Sequence, residues 1–176
     1  MKASPTVEGN QVVIRKWKQS DLESLALLRS DVALQAQLMA RAKLNRADDV
    51  RAWLLDRENR DDALLLVAAS VLDDSVFGYL QVMNVDILSG TGELGICISR
   101  NSQGKGIATE ACNLLDRYLV LELGLRKLVL RVRSDNSRAL AFYRKLHYRE
   151  VGRFLRHYRD GEELVDVVWM ERFLGQ

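Results

Sequence analysis

The chain has one proline, two cysteines and two histidines among its 176 residues, and each scarcity removes a class of protein. Pro5 stands alone near the start, and no glycine- or serine-rich stretch interrupts the chain, so no linker, internal repeat or low-complexity tract divides it. Cys97 and Cys112 are too few for a disulfide framework. His147 and His157 lie far from both, which removes a zinc quartet, and no metal is expected. No apolar run approaches the ~20 residues of a membrane-spanning helix. An excess of one charge is lacking too: 26 Lys and Arg against 24 Asp and Glu leave +2. That balance points away from nucleic acid and from membrane surfaces. The opening MKASPTVEGNQVV has no long apolar centre of the secretory kind. The expectation is one soluble, cytoplasmic domain over residues 1–176.

What the chain does contain is 48% hydrophobic and 28% charged residues, an ordinary globular mixture. Period-two patterns suggest strands at residues 11–18, 63–70, 76–83, 91–99, 127–133, 148–159 and 164–173. Helical periodicity appears behind the capping-box pattern Ser20-Asp21-Leu22-Glu23, then over residues 46–59, 107–123 and 136–146. Gly124 ends the third of these, and Asp160-Gly161 reads as a hairpin turn. The order is β-α-α-β-β-β-α-β-α-β-β, about seven strands and four helices. That interleaving, with early strands joined as hairpins, gives an α/β (α+β) fold around a mixed sheet. Trp17, Trp53 and Trp169 fall on faces expected to be buried.

Residues 95–112, GICISRNSQGKGIATEAC, carry the first chemical signal: a strand, then Gln103-Gly104-Lys105-Gly106, then a helix. Two glycines allow close backbone approach, and the helix start offers unpaired N–H groups at the positive end of its dipole. This is an anion site suited to pyrophosphate; the alternative is an ordinary glycine-rich turn. It is neither a P-loop, since G-x-x-x-x-G-K-S/T is missing, nor a dinucleotide fingerprint, since Thr109 stands where a third small residue belongs. The second signal is Asn136-Ser137-Arg138-Ala139-Leu140-Ala141-Phe142-Tyr143. Asn136 suits a helix cap, and at 3.6 residues per turn it shares a face with Tyr143 two turns later. Read alone, the pattern is better taken as a capped helix whose Tyr143 is a core aromatic. Cys97 and Cys112, in mid-strand and mid-helix, read as buried inert thiols.

Together, Gln103-Gly104-Lys105-Gly106-Ile107-Ala108 and Asn136-Ser137-Arg138-Ala139 through Tyr143 resemble the GNAT N-acetyltransferase superfamily. The first matches its Arg/Gln-x-x-Gly-x-Gly/Ala loop and the second its N-x-x-A-x-x-x-Y element. Glu93-Leu94-Gly95, Gly106 through Ala111 and the Arg159-Asp160-Gly161 turn resemble the branch of spermidine, ribosomal-protein N-terminal and amino-sugar-nucleotide acetyltransferases. The resemblance implies a GNAT-type, mostly antiparallel sheet and direct acetyl transfer from acetyl-CoA to a primary amine, without a metal. It also implies roles. Backbone groups of Ile96, Cys97 and Ile98 bond the pantetheine arm. N–H groups from Gln103 through Gly104, Lys105, Gly106 and Ile107 to Ala108 hold the pyrophosphate. Asn136 contacts the pantetheine or the thioester end, and Tyr143 stands near the sulfur as general acid. Glu93 is the general base, or else a surface-facing strand residue. Arg144 and Lys145 meet the nucleotide phosphate, or else form a solvated basic face.

The partners implied are acetyl-CoA and an amine-bearing acceptor, with a homodimer common in this branch. Residues 29–49 should line the acceptor side; Arg41, Lys43 and Arg46 there outweigh a sparse set of acids, Asp31, Asp48 and Asp49. This favours an acceptor with negative charge, such as an amino sugar nucleotide. The alternatives are a polyamine or protein N-terminal acetyltransferase, or a non-catalytic acetyl-CoA-binding sensor.

Overall fold

The computed structural model describes residues 5–40, 42 and 46–175. Its strands are β1 (Thr6–Glu8), β2 (Val12–Arg15), β3 (Leu64–Ser70), β4 (Val76–Asp86), β5 (Thr91–Ile98), β6 (Lys127–Arg133), β7 (Arg149–Asp160) and β8 (Glu163–Phe173). Its helices are α1 (Leu22–Ser30), α2 (Val32–Gln37), α3 (Ala47–Glu58), α4 (Ile107–Leu123) and α5 (Ser137–Lys145). All eight strands form one sheet in the order β1-β2-β3-β4-β5-β6-β8-β7. Every neighbouring pair is antiparallel except β5–β6, which is parallel.

Both faces of the sheet are covered, and alternate strand residues sort between them. Leu66, Ala68, Leu80, Val82, Leu94, Leu128, Leu130 and Met170 pack against α4 and α5. Leu65, Val67, Ala69, Tyr79 and Cys97 pack against α1 and α3 through Leu22, Leu25, Val50 and Leu54. This double burial is why β3 reads as an unbroken apolar run, LLLVAA. Gly124, at φ 65°, closes α4 in the left-handed conformation that favours glycine.

The sequence-based count of seven strands and four helices falls one short of each. β1 spans three residues, too few to display an alternation. α2 is a short helix capped by Asp31, whose side chain accepts from the Leu34 N–H at 2.9 Å. β2 stops at Arg15, before the predicted end at residue 18. Ser20 is not the cap of α1; Asp21 is buried there, accepting from the Lys18 N–H at 2.7 Å and from the Arg15 guanidinium at 2.8 and 3.0 Å. The three tryptophans are half-buried rather than core. Trp17 and Trp53 lie at the edge of the α1–α3 layer.

Candidate active site

The parallel pair β5–β6 is joined over only three positions, Thr91↔Lys127, Gly92↔Leu128 and Glu93↔Val129. On its other side β5 remains paired with β4 as far as Ile98. The two strands therefore diverge after Glu93, and backbone groups of residues 94–98 that point away from β4 have no strand to meet. A cleft of about 1300 Å³ opens in this seam, and Ile96, Cys97 and Ile98 lie on its wall. An extended chain with amide groups could bond there as a neighbouring strand does.

The loop after β5 is braced from within. The Gln103 side chain donates to the Ile98 carbonyl at 2.8 Å, and its backbone N–H donates to Arg100 at 3.3 Å. Gln103 thus spends its own donors on shaping the loop. Gly104 and Gly106 have φ of 77° and 81°, and a Cβ built on either would meet no atom within 4 Å. They are glycines because of the backbone conformation, and the space beside them opens onto the cleft. Gly106 is the N-cap of α4 and supplies no side-chain cap. Among the described residues the N–H groups of residues 104–109 have no protein acceptor. Free donors, a helix dipole and open space together fit a pyrophosphate. Ala108 lines the cleft, whereas the Ile107 side chain is in the core and Lys105 is exposed outside the lining.

α5 forms the opposite wall. The Asn136 carbonyl oxygen accepts from the Ala139 N–H at 3.1 Å, which caps the helix and leaves the side-chain amide as a donor facing the cleft. Tyr143 also lines the cleft; its ring packs against Phe142 and Tyr148 with centroids 5.2 and 5.6 Å away. Burial pushes the Tyr143 hydroxyl well above the ordinary tyrosine range, with the Cys112 thiol adding to the shift. It therefore stays protonated at neutral pH. Lys145 is on the cleft wall and Arg144 is not.

Glu93 sits where the strands part. Its carboxylate accepts from Arg131 Nε at 2.7 Å and from the Asn84 side-chain amide at 3.1 Å. Cys97 and Cys112 are buried thiols, each pushed up to about 12 by burial, as inert cysteines are. His157 packs on Phe154 with ring centroids 4.9 Å apart, and neither histidine lines the cleft.

Sequence reasoning missed much of the face beneath α1–α3. There Arg29 stacks on the Trp53 ring at 4.0 Å, Trp53 meets Tyr79 edge-on at 5.2 Å, and Arg57 and Arg131 complete the wall. Burial lowers the Arg29 guanidinium from its usual range. These groups come from helices and strands distant in the chain, so no local spacing announces them. Arg46 is not on the wall, and Arg41 and Lys43 fall outside the described residues. Glu93 and Asp135 are the carboxylates of the described lining, and both are ion-paired: Glu93 with Arg131, and Asp135 with the buried Arg133 at 2.7 Å.

Comparison with known proteins identifies the family. The profile of the acetyltransferase (GNAT) domain matches residues 11–149. A putative ribosomal N-acetyltransferase of Bacillus subtilis is 27% identical over 146 residues, covering 81% of this chain and 80% of that protein. The spermidine N(1)-acetyltransferase of Escherichia coli is 33% identical over 86 residues, 49% of this chain and 46% of that one. Among solved structures, the Vibrio cholerae spermidine N-acetyltransferase in complex with CoA and spermine superposes with a TM-score of 0.86 at 19% identity, covering 94% of this chain and 97% of that one. The protein is a member of the GNAT family, an acetyl-CoA-dependent N-acetyltransferase.

Proposed function

We propose that the enzyme transfers the acetyl group directly, in a ternary complex, to a primary amine on a small molecule that also carries negative charge. A nucleotide-linked amino sugar is the leading case. One observation carries the charge assignment: both carboxylates of the described cleft lining are already held by arginines. Of the basic residues on the same walls, Arg57, Arg60 and Arg100 pair with Asp56, Asp62 and Asp31, while Arg131, Arg138 and Lys145 leave the walls with a net positive charge. A polycation entering that cleft meets an excess of like charge, whereas an anion meets donors.

The chemistry sets three demands. An alkylammonium of pKa ~10.4 is neutral in less than one part in a thousand at pH 7, so the acceptor must lose a proton. Glu93, oriented by Arg131 and Asn84, is assigned to take it, directly or through water. Charge developing on the thioester oxygen needs a donor, and the N–H groups of Ile96 and Ile98, which point away from β4 on the open edge of β5, are assigned to supply it. The departing thiolate needs a proton, and the Tyr143 hydroxyl, kept protonated by burial, is the assigned source. Pantetheine runs along the edge of β5 toward Asn136. The pyrophosphate rests on the N–H groups of residues 104–108, and Lys145 stands near the nucleotide.

A polyamine acceptor is the second reading, favoured by the name of the Escherichia coli relative. The test compares kcat/KM for spermidine, a nucleotide-linked amino sugar and an acidic N-terminal peptide at low and moderate salt. The anionic acceptors should be preferred, with a preference that shrinks as salt screens exposed charges over ~8–10 Å. Efficient turnover of spermidine alone would sink the anionic reading. Tight acetyl-CoA binding without turnover of any amine would make the protein a sensor.

A further inference from the structure

We propose that Arg131 is the residue that selects the acceptor, its guanidinium receiving a carboxylate or phosphate carried within a few bonds of the reacting amine. The proposal rests on the acetyltransferase reading above and assigns its specificity to one side chain.

Arg131 is on β6 directly opposite Trp169 of β8, and its guanidinium lies 5.5 Å from the centre of that indole ring. Leu128, Leu130 and Val132 of the same strand face the α4–α5 core, so Arg131 faces the other side, with Glu93, the half-buried Trp53 and the buried Tyr79. One of its five N–H donors goes to Glu93, at 2.7 Å from Nε. Among the described residues no other protein acceptor takes the rest. The two ends of this ion pair are not equally presented. The Arg131 side chain is 45% exposed and that of Glu93 16%, so the end offered to a ligand is the cation. The indole and the carboxylate hold the guanidinium plane, which leaves its terminal nitrogens as a pre-oriented fork, the geometry that suits carboxylate and phosphate oxygens. An acceptor anion seated there delivers a neighbouring amine beside Glu93. This accounts for an ion pair at the point where a free carboxylate would better attract a simple cation.

The experiment measures kcat/KM ratios for matched acceptors: phosphoethanolamine against ethanolamine, and β-alanine against β-alaninamide. The first pair reports phosphate and the second carboxylate. The native enzyme should prefer the anionic member of at least one pair by about 10- to 100-fold, the size of a charge-assisted hydrogen-bonded contact. In Arg131→Gln that ratio should fall to within threefold of unity, and Arg131→Lys, which keeps charge without the fork, should give an intermediate value. Removing Arg131 also releases Glu93, so the ratio is measured again in the Glu93→Gln background. A direct contact predicts that Arg131→Gln collapses the ratio there as well. A native ratio near one, or a ratio unchanged by Arg131→Gln, overturns the proposal while leaving acetyl transfer intact. No thiol release with any amine overturns the acetyltransferase reading and this proposal with it.

Discussion

Replacing Tyr143 with phenylalanine isolates chemistry from folding unusually well. The residue is 8% exposed and its ring is held between Phe142 and Tyr148, contacts that Phe retains. No protein atom among the described residues accepts a hydrogen bond from the hydroxyl, so its removal leaves no buried group orphaned. The melting temperature and the acetyl-CoA affinity should therefore stay close to native. On the proposed assignment the thiolate loses its proton donor, and general-acid contributions of about 10²- to 10⁴-fold correspond to ~2.7–5.4 kcal/mol of barrier. A quenched single-turnover measurement reads that step directly and removes any masking by product release. Because burial raises the hydroxyl above its usual pKa, the native rate should show no loss from tyrosine ionisation between pH 7 and pH 10. A Tyr143→Phe single-turnover rate within threefold of native would refute the assignment and leave the residue a core aromatic.

Two further outcomes are expected. Gly106→Ala places a Cβ at φ 81°, a conformation costing an L-residue roughly 1–2 kcal/mol, at the mouth of the phosphate loop. Calorimetry should show acetyl-CoA affinity falling at least tenfold, and to nothing detectable in Gly104→Val/Gly106→Val; native affinity in the double variant would end the phosphate assignment. Asp31→Asn keeps an acceptor for the α2 cap but removes the ion pair to Arg100 at 2.8 and 3.0 Å, and should lower stability at pH 7 modestly, read as the denaturation midpoint. The Arg100 guanidinium holds the Asp31 carboxyl down to about 2, below its unfolded value of ~3.9, so its contribution is present above pH ~4 and is lost as pH falls toward 2. Native and Asp31→Asn curves should converge over that window; a gap that persists at pH 2 would exclude the linkage.

The parts of the fold legible in the chain are those whose physical cause is local. Gly104, Gly106 and Gly124 mark positive φ, and the long apolar stripe of α4 declares a helix between them. Asp160-Gly161 announces the turn between β7 and β8. Asn136 is visible as a cap because its side chain answers an N–H three residues on. What stayed hidden is set by distant pairing. Nothing near Glu93 signals Arg131, 38 positions later, because their meeting depends on parallel strands brought together by α4. The Arg29–Trp53–Tyr79 stack likewise joins α1, α3 and β4. The tryptophans looked apolar enough for the core, yet Trp53 and Trp169 each serve as the flat support of an arginine.

The parting of β5 and β6 leaves an open edge inside the sheet. Eight strands are present among the described residues, and on the proposed course of pantetheine the hydrogen-bonding edge over residues 94–98 is finished when that arm lies along it as a ninth. Occupancy of the donor site and survival of the fold then become one equilibrium. Saturation at a hundred times Kd adds about 2.7 kcal/mol to the free energy of unfolding, a large share of the ~5–15 kcal/mol typical of a domain. Amide exchange along β5 should slow with it. A cell short of acetyl-CoA would lose substrate and, through faster proteolysis of the opened chain, a portion of the enzyme itself. On that course, the width of one seam would tie the lifetime of the protein to the supply of its acetyl donor.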